Sequence, residues 1–380
     1  MFTDLHCGLA GNRQSRLNIC VKVVDEIKKA AEKNGVKNIV FGGDWFHSRS
    51  TLDVNTINVA LGLVEELASA ANVYLICGNH DAFLKNSTDI NSLNMFRSMK
   101  NVFVVDKSEE ADMNGQKCLL VPWLTDLSVY GKNSFDVMIG HFEISSKYLI
   151  QSYIEDNSLK KAVGASAAKA LEDDQLLKGG AKRRSEDLIG NFVDLVKRGG
   201  RIYAGHIHNH KETTVKGRWF SFVGSPYQQT LGEIDSASGY YVLDEGNEPE
   251  FFETQSAPKH VLVEMSKAVG GEFDFGLVTG NIVQKIYDVD VGPKDDQAVN
   301  KKINDFKPYE ELLPDYLVEV GRGAGEQASA EAIELIRKSK LEYIRNYVDG
   351  IDQLALDGQG IDRKRLFGVL ESYYKKVVED

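Results

Sequence analysis

The chain has 380 residues, 42% of them hydrophobic and 27% charged, proportions typical of a globular protein with a large core and one or two smaller domains. No apolar run approaches the roughly 20 residues that a membrane helix needs. The four cysteines form no CxxC pair, which argues against a zinc knuckle or a disulfide framework and favours reduced thiols in a cytoplasm. The formal net charge of −11 argues against a protein that coats nucleic acid through a basic surface, so a nucleic-acid role would need a local groove, bound metal or a partner.

Strands and helices alternate along the first half of the chain. Residues 15–34 combine helix-forming residues with apolar helical spacing and end at Asn34-Gly35, a suitable C-cap. A second helix is predicted to begin near Asp53. Strands are predicted at 38–41, 73–77, 102–105, 117–121, 135–139 and 201–204. This alternation predicts a layered α/β fold. The basic, glycine-rich residues 151–190 interrupt it and predict either a solvated loop or a basic arm that contacts phosphate.

The second half of the chain predicts three further parts. Strands at 219–223, 239–243 and 250–254 would close a second sheet. Residues 259–320 predict a compact α+β appendage, with strands at 260–265, 281–291 and 316–320 and a helix near 295–306. A glycine-rich joint at 321–325 precedes helices predicted at about 329–348 and 361–378. We therefore expect domains at 1–255 and 256–322 and a helical tail at 323–380.

Seven of the eight histidines lie in or beside five short clusters, each directly after a hydrophobic run. The clusters are Asp4-Leu5-His6, Gly43-Asp44-Trp45-Phe46-His47, Gly78-Asn79-His80-Asp81, Gly140-His141 and Gly205-His206-Ile207-His208. Side chains just past the strand ends of an open sheet converge on one crevice. The converging groups are oxygen and imidazole donors without thiolate, a set that suits two divalent metals and phosphoester hydrolysis.

A carboxylate that bridges two metals is the natural centre of such a site, and Asp44 is the candidate. Two groups of donors could complete the two metal sites. One group is Asp4, His6 and His208; the other is Asn79, His141 and His206. Two cations would neutralise the phosphate oxygens and convert a bridging water to hydroxide near neutral pH. Mixed nitrogen and oxygen ligation favours Mn²⁺ or Fe²⁺ over structural zinc.

His80 lies between a predicted ligand, Asn79, and a carboxylate, Asp81. A hydrogen bond from His80 to Asp81 would hold the imidazole so that it could protonate the departing oxygen. The alternative is a histidine with a structural role behind the ligands. For His47, a catalytic or substrate-orienting role and a structural role are both open. His210 is expected at the surface and His260 in the appendage, away from the clusters.

The motifs DxH, GDxFH, GNHD, GH and GHxH, in this order, resemble the calcineurin-like metallophosphoesterases. Within that superfamily the sequence is similar to the SbcD/Mre double-strand-break repair nucleases. The similarity includes Gly43-Asp-Trp-Phe-His47, Val121-Pro-Trp-Leu124 and Gly224-Ser-Pro226, and the layout is most similar to the phage (T-even type) members. The motifs cover roughly residues 1–255; beyond 255 only the layout is similar. The resemblance implies a layered α/β/β/α sandwich with a small α+β capping domain and a C-terminal helical tail.

The resemblance also implies an activity, cofactors and partners. It implies a Mn²⁺-dependent exonuclease and endonuclease, with Mg²⁺ or Fe²⁺ as alternatives, acting on double-stranded DNA ends and single-stranded DNA. Residues 1–255 would be the nuclease domain, 256–322 would cap it and bind DNA, and 323–380 would bind an SbcC-type coiled-coil ABC ATPase. The nuclease would be a homodimer in a heterotetramer, in the host cytoplasm if phage-encoded. The motifs assign Asp4, His6, Asp44, Asn79, His141, His206 and His208 to metals, and His80 and His47 to catalytic support.

Two departures and two rival functions accompany this resemblance. Only three residues precede Asp4, whereas a strand needs about five, so we expect either a stunted first strand or further apolar residues upstream in the natural protein. The insertion at 151–190 is also longer than expected. One rival function is hydrolysis of a small substrate such as a cyclic nucleotide or a nucleotide. The other is a metal-bearing scaffold without activity.

Overall fold

The computed structural model describes residues 1–125, 134–141, 199–215, 218–244 and 249–312. These residues belong to two compact units. The first comprises Met1–Val261, Phe275–Val283 and Phe306–Glu311, and the second includes Leu262–Asp274 and Gln284–Asp305. Within the described ranges, no helix has the length and apolar character needed to cross a membrane. The predicted insertion at 151–190, the strand at 316–320, the joint and the tail helices lie outside the described residues.

Two long helices follow the first turn, α1 (Leu9–Asn12). They are α2 (Gln14–Lys33) and α3 (Val54–Ala70). Helix α2 buries one face because its apolar residues recur at helical spacing, and it ends where Asn34 Nδ2 donates to the Ala30 carbonyl oxygen. Helix α3 begins where an Asp53 carboxylate oxygen accepts a hydrogen bond from the Thr56 N–H at 2.7 Å. Both predicted helices are therefore confirmed.

The first sheet has three parallel strands in the order β1-β2-β3. They are β1 (Asn38–Phe41), β2 (Asn72–Ile76) and β3 (Val102–Val105). Helix α3 provides the crossover that parallel β1 and β2 require. The residues before Asp4 form a single parallel bridge, Phe2 to Phe41, while the Met1 carbonyl oxygen accepts from the Tyr241 N–H at 2.8 Å. The residues described before Asp4 thus form one bridge and not a full strand.

The second sheet has six strands in the order β4-β5-β6-β7-β9-β8. They are β4 (Glu109–Met113), β5 (Gln116–Val121), β6 (Phe135–His141), β7 (Gly199–Gly205), β8 (Lys211–Val215) and β9 (Arg218–Phe222). The four central strands are parallel, and the edge strands β4 and β8 are antiparallel to their neighbours. The sequence did not predict β4 or β8, because polar edge strands lack a continuous apolar run.

The two sheets share one hydrophobic core. Val40, Ile76 and Val105 of the first sheet pack in one cluster with residues of the second, including Leu120 and Ile139. The α/β sandwich predicted from the sequence is confirmed. Strands β10 (Gly239–Val242) and β11 (Glu250–Glu253) pair antiparallel in a separate two-stranded sheet. The prediction that they close the second sheet together with the strand at 219–223 is therefore wrong, and only β9 joins that sheet.

A smaller sheet, in the order β12-β13-β14, follows. Its strands are β12 (His260–Glu264), β13 (Ile282–Ile286) and β14 (Glu310–Glu311). The strand predicted at 281–291 is too long: it ends at Ile286, and Asp288 instead accepts hydrogen bonds from the Ser266 backbone and side chain. Helix α4 (Met265–Gly270) was not predicted, whereas α5 (Pro293–Asp305) was, with proline at its first position.

Candidate metal centre and active site

The segment that carries Asp4 and His6 is held against the segment that carries Asp44. The Asp4 N–H donates to the Gly43 carbonyl oxygen at 2.9 Å, and the His6 N–H donates to the Asp44 carbonyl oxygen at 3.0 Å. Asp4, His6, Asp44 and His206 all have φ between 50° and 83°, which side-chain-bearing residues rarely adopt. Each such residue costs about 1–3 kcal/mol, a cost that is characteristic of functional sites.

Three further predicted ligands follow strands of the two sheets. Asn79 comes just after β2, His141 is the last residue of β6, and His206 follows β7 directly. Since β6 and β7 are parallel and adjacent, with His141 opposite Gly205, these residues emerge at the same edge.

The first donor cluster consists of Asp4, His6 and His208. The Nε2 atoms of His6 and His208 are 3.1 Å apart, and the Oδ1 atom of Asp4 lies 4.0 Å from the first and 3.8 Å from the second. Asp4 is fully buried and His6 is 2% exposed. The ligand atoms of all three lie within 4.8 Å of one another, which is compact enough for one ion.

The second donor cluster brings together Asn79, His141 and His206. The Oδ1 atom of Asn79 lies 2.8 Å from both His141 Nε2 and His206 Nδ1. Asp44 links the clusters, because its Oδ2 atom lies 3.3 Å from His141 Nε2 and 3.7 Å from His6 Nε2. All seven residues predicted as metal ligands therefore meet around Asp44.

The donor set fits divalent cations. The Asn79 side-chain oxygen faces other acceptors, namely the Asp44 carboxylate and the imidazole nitrogens. Without a cation, this amide would make more hydrogen bonds if its oxygen and nitrogen were exchanged. Two buried carboxylates so close repel each other, and burial together with the Asp44 charge raises the pKa of Asp4. Divalent cations remove both conflicts. The nearby Cys7 thiol belongs to none of the donor clusters of the described residues. Its hydrogen bond with Cys20 and its burial raise its pKa well above the usual value.

Hydrogen bonds behind the ligands fix the imidazole orientations. His208 Nδ1 lies 3.2 Å from Glu233 Oε1, and His141 Nδ1 lies 3.0 Å from the Gly42 carbonyl oxygen. Each contact leaves Nε2 free to face the centre. Glu233 is itself held by Ser225 Oγ at 2.9 Å and the Gln229 N–H at 2.9 Å. Sequence reasoning missed Glu233, and no local motif distinguishes it.

His80 and His47 lie at the side of the first donor cluster. The His80 N–H donates to Asp44 Oδ1 at 2.6 Å, and His80 Nδ1 lies 2.6 Å from the His47 carbonyl oxygen. The His47 and His80 rings stack with centroids 5.6 Å apart, and the His80 and His6 centroids are 4.9 Å apart. His80 Nε2 is therefore the nitrogen left for a substrate.

The prediction of a hydrogen bond between the His80 and Asp81 side chains is wrong. The Asp81 carboxylate instead accepts from the N–H groups of Asp44 at 2.9 Å, Phe46 at 3.1 Å and Gly78 at 3.0 Å. Burial and the Asp44 charge raise the pKa of Asp81 to about 7. Asp81 thus connects the loop after β1 with the loop after β2 by hydrogen bonds. It positions His80 through the backbone of these loops and not by a side-chain hydrogen bond.

The two remaining histidines lie outside the donor clusters of the described residues. His210 was predicted to lie at the surface, but it is half-buried. Its ring stacks on the Phe251 ring, with 3.8 Å between the centroids. His260 is 4% exposed at the start of β12.

Glycines give the ligands the space they need. A Cβ on Gly43 would lie 2.3 Å from His141 Nδ1, and one on Gly78 would lie 2.2 Å from Asp44 Oδ1. Any side chain at either position would displace a predicted ligand.

The family model for the calcineurin-like phosphoesterases matches residues 1–210. The chain belongs to this family. The fold and motifs expected from the sequence are therefore confirmed, and members of this family bind divalent metals at sites of this kind.

Two curated viral proteins are similar to the chain. Exonuclease subunit 1 of Enterobacteria phage T4 is 24% identical over 249 residues, which span 63% of this chain and 62% of that protein. Putative phosphoesterase 078R of Invertebrate iridescent virus 3 is 30% identical over 105 residues, 27% of this chain and 30% of that protein. The chain thus spans less than two thirds of either relative. Among solved structures, a phosphopantetheinyl hydrolase from Mycobacterium tuberculosis is 15% identical, with a TM-score of 0.26 over 59% of this chain and 87% of that one.

Proposed function

We propose that this protein is a metal-dependent DNA nuclease, the hydrolytic subunit of an SbcCD-like recombination and repair complex. The observation that carries the proposal is the Asp44 carboxylate between two donor clusters, 3.7 Å from His6 Nε2 and 3.3 Å from His141 Nε2. A shared carboxylate is what a two-metal phosphoesterase requires. The choice of DNA as substrate rests on the similarity to a phage protein named an exonuclease subunit.

The seven ligands divide between two ions. Asp4, His6 and His208 would hold one ion, Asn79, His141 and His206 would hold the other, and Asp44 would be shared between the two groups. When bound, the two ions neutralise phosphate oxygens and make a water molecule acidic enough to be a nucleophile near neutral pH. We propose Mn²⁺ as the native metal, with Mg²⁺ or Fe²⁺ as alternatives, because the donors are oxygen and imidazole.

His80 supplies the proton. In its protonated form, Nδ1–H donates to the His47 carbonyl oxygen, and Nε2–H is available to the oxygen that leaves phosphorus. His47 supports this role through the stacked ring and the same carbonyl oxygen. Asp81 holds the Asp44 and Phe46 backbone N–H groups, so it positions both the bridging carboxylate and His80.

The other parts of the proposal follow the family resemblance. Residues 256–322 would cap the nuclease and contact DNA, and 323–380 would bind an SbcC-type coiled-coil ABC ATPase. The subunit would form a homodimer within a heterotetramer. The substrates would be double-stranded ends and single-stranded DNA.

A small-substrate phosphodiesterase is the second candidate, and the net charge of −11 favours it, because polyanionic DNA is repelled by such a chain. It would use the same seven ligands and the same proton donor.

Assays of the purified chain with Mn²⁺ distinguish the candidates. The substrates are end-labelled duplex DNA, single-stranded DNA and bis-p-nitrophenyl phosphate. We expect all three to be hydrolysed, and we expect Asp44→Asn to abolish hydrolysis and lower the bound metal, whereas Asp25→Asn, an exposed carboxylate on α2, should change neither. Hydrolysis of only the small ester favours the second candidate. No hydrolysis of any substrate contradicts both, and so would an Asp44→Asn variant with two bound metals and normal turnover.

A further inference from the structure

Arg49 lies in the loop between β1 and α3 that also carries Asp44 and His47, yet the function proposed above gives it no role. Its guanidinium carbon lies 4.9 Å from the centroid of the Trp123 ring. A guanidinium over an indole face is attracted to the ring and keeps its charge and its N–H donors. The contact therefore restricts the position of the Arg49 guanidinium.

Trp123 is itself held by a strained turn. Its backbone N–H donates to the carbonyl oxygen of Cys77, the residue just after β2, at 2.9 Å, and the side chain is 5% exposed. The next residue, Leu124, has φ of 65°, a left-handed conformation that costs a leucine about 1–2 kcal/mol. This strained turn positions Trp123 against Arg49. Its hydrogen bond to Cys77 places it beside the loop that carries Asn79 and His80.

The N–H donors of Arg49 lack suitable acceptors among the described residues. Nη1 is shielded from solvent and has no hydrogen-bond partner among the described residues. Nη2 lies 3.2 Å from the outer atom of the Asn79 amide. With Asn79 Oδ1 directed at His141 and His206, as a metal ligand must be, that outer atom is Nδ2, which is also a donor. Two N–H groups then face each other beside a third that lacks a partner.

We propose that Arg49 binds a non-bridging oxygen of the scissile phosphodiester, together with Asn79 Nδ2. An anionic oxygen accepts from both N–H groups at once and resolves their conflict, and a guanidinium fork suits a phosphate that offers two such oxygens. Because Asn79 is a proposed metal ligand, a phosphate held in this way lies beside the metal centre. This inference rests on the proposed function and deepens it.

A purely structural role would be packing of the Arg49 side chain on Trp123. Three variants separate the two roles. Arg49→Met keeps an unbranched stem on the indole and removes every donor, Arg49→Lys keeps the charge without the fork, and Arg49→Ala removes both. Arg97→Ala is the matched control, because Arg97 is an exposed arginine paired with Asp106.

The experiment measures kcat and KM for bis-p-nitrophenyl phosphate with Mn²⁺, bound metal by elemental analysis, and thermal midpoints. We expect Arg49→Met and Arg49→Ala to bind two metals and to raise KM roughly 10- to 100-fold, the loss typical of a hydrogen bond to a charged group. Arg49→Lys should recover little of it. Added guanidinium ion should partly restore Arg49→Ala but leave Arg97→Ala unchanged.

Binding of inorganic phosphate to the Mn²⁺-loaded protein, followed by calorimetry, provides a second readout that does not need turnover. We expect the Arg49 variants to weaken phosphate binding by the same factor as KM. If the wild-type chain hydrolyses no phosphodiester, the proposed function fails, and phosphate binding still tests Arg49. If the wild-type chain is active and Arg49→Met leaves both KM and phosphate affinity unchanged, the role of Arg49 is wrong and the proposed function stands.

Discussion

His80 is the residue whose role can be separated most cleanly from metal binding. Its Nδ1 lies 2.6 Å from the His47 carbonyl oxygen, which leaves Nε2 for the substrate. We expect His80→Ala to retain metal and DNA binding and to lower DNA hydrolysis by roughly 10²- to 10⁴-fold, as for a lost general acid. Nitrophenolate is a good leaving group that needs no proton, so hydrolysis of bis-p-nitrophenyl phosphate should fall much less.

Elemental analysis and rates on both substrates check this prediction, with His210→Ala as a control outside the clusters. Loss of metal in His80→Ala would make His80 a ligand or a scaffold residue. Equal losses on the two substrates would also contradict the proton-donor role.

The pKa of His141 allows a prediction of how metal binding depends on pH. Although its burial would lower the pKa, the Asp44 charge outweighs that effect and raises the pKa of His141 to about 9 in the metal-free protein. Metal binding requires the neutral imidazole, so near pH 7.5 it should release about one proton from His141. His206, whose pKa is lowered to about 4 by burial and by His141, is already neutral and releases none.

Calorimetry of Mn²⁺ binding in buffers with different ionisation enthalpies measures this proton release. Metal affinity should rise with pH up to about 9, and the release should vanish above it, because the proton has already left. Absence of proton release at pH 7.5 would show that His141 is already neutral there, and undiminished release at pH 10 would show that it is still protonated; either result contradicts the prediction.

At the residue scale, the convergence of the seven predicted ligands could be expected from the sequence, because they lie in short polar motifs, most of them at or just after the end of a strand. Their role as metal ligands stays a prediction. Asp81 could be identified as important but not understood, because its three N–H partners come from two loops that are distant in sequence. Glu233 and Arg49 could not be found at all. Their environments depend on His208 and Trp123, which approach them only in the folded chain.

At the scale of the elements, Asp53 determines the start of α3. Its side chain accepts the Thr56 N–H at 2.7 Å, which satisfies one of the free donors of the first turn. We expect Asp53→Ala to lower the free energy of unfolding by about 1 kcal/mol and Asp53→Asn, which keeps the cap, to change it little. Urea unfolding of the three proteins tests this, and equal stability of wild type and Asp53→Ala would contradict it.

The central elements could be predicted more accurately than the peripheral ones. The strands β1, β2, β5, β6, β7 and β9 are largely buried, and β3 is half-buried but apolar throughout, so the apolar runs of all seven are visible in the sequence. Strand β4 begins with the exposed residues Glu109 and Glu110 and pairs on only one side, so its sequence carries no comparable signal. The strand predicted at 281–291 is too long for the opposite reason, because apolar residues continue in the sequence past Ile286, where the strand ends. Beyond that point, Asp288 accepts a hydrogen bond from the Ser266 N–H and does not pair with a neighbouring strand.

At the scale of the whole molecule, the C-terminal region remains a prediction from the sequence, because it lies outside the described residues. Ile333, Ile336 and Ile344 recur at helical spacing, as do Leu366 and Leu370, and such apolar faces need a surface to cover them. If the proposed SbcC-type ATPase is the partner, we expect deletion of 326–380 to spare Mn²⁺-dependent hydrolysis by the isolated chain but to abolish co-purification with that ATPase.

Packing of these predicted helices on the rest of the chain and self-association are the alternatives. The first would lower the stability of the truncated chain, which thermal unfolding measures. The second would change its mass in solution. Unchanged affinity of the truncated chain for the partner would exclude the tail as the docking element.

The hydrogen bonds between the His206 N–H and the Asp4 carboxylate join residues 202 positions apart. The centre therefore needs both the first residues of the chain and those just after β7. During synthesis, a ribosome must deliver more than half of the polypeptide before the last ligands can join the others. Incomplete nascent chains should therefore carry no complete donor set, so any hydrolytic activity of this centre would begin only after this unit has been made and folded.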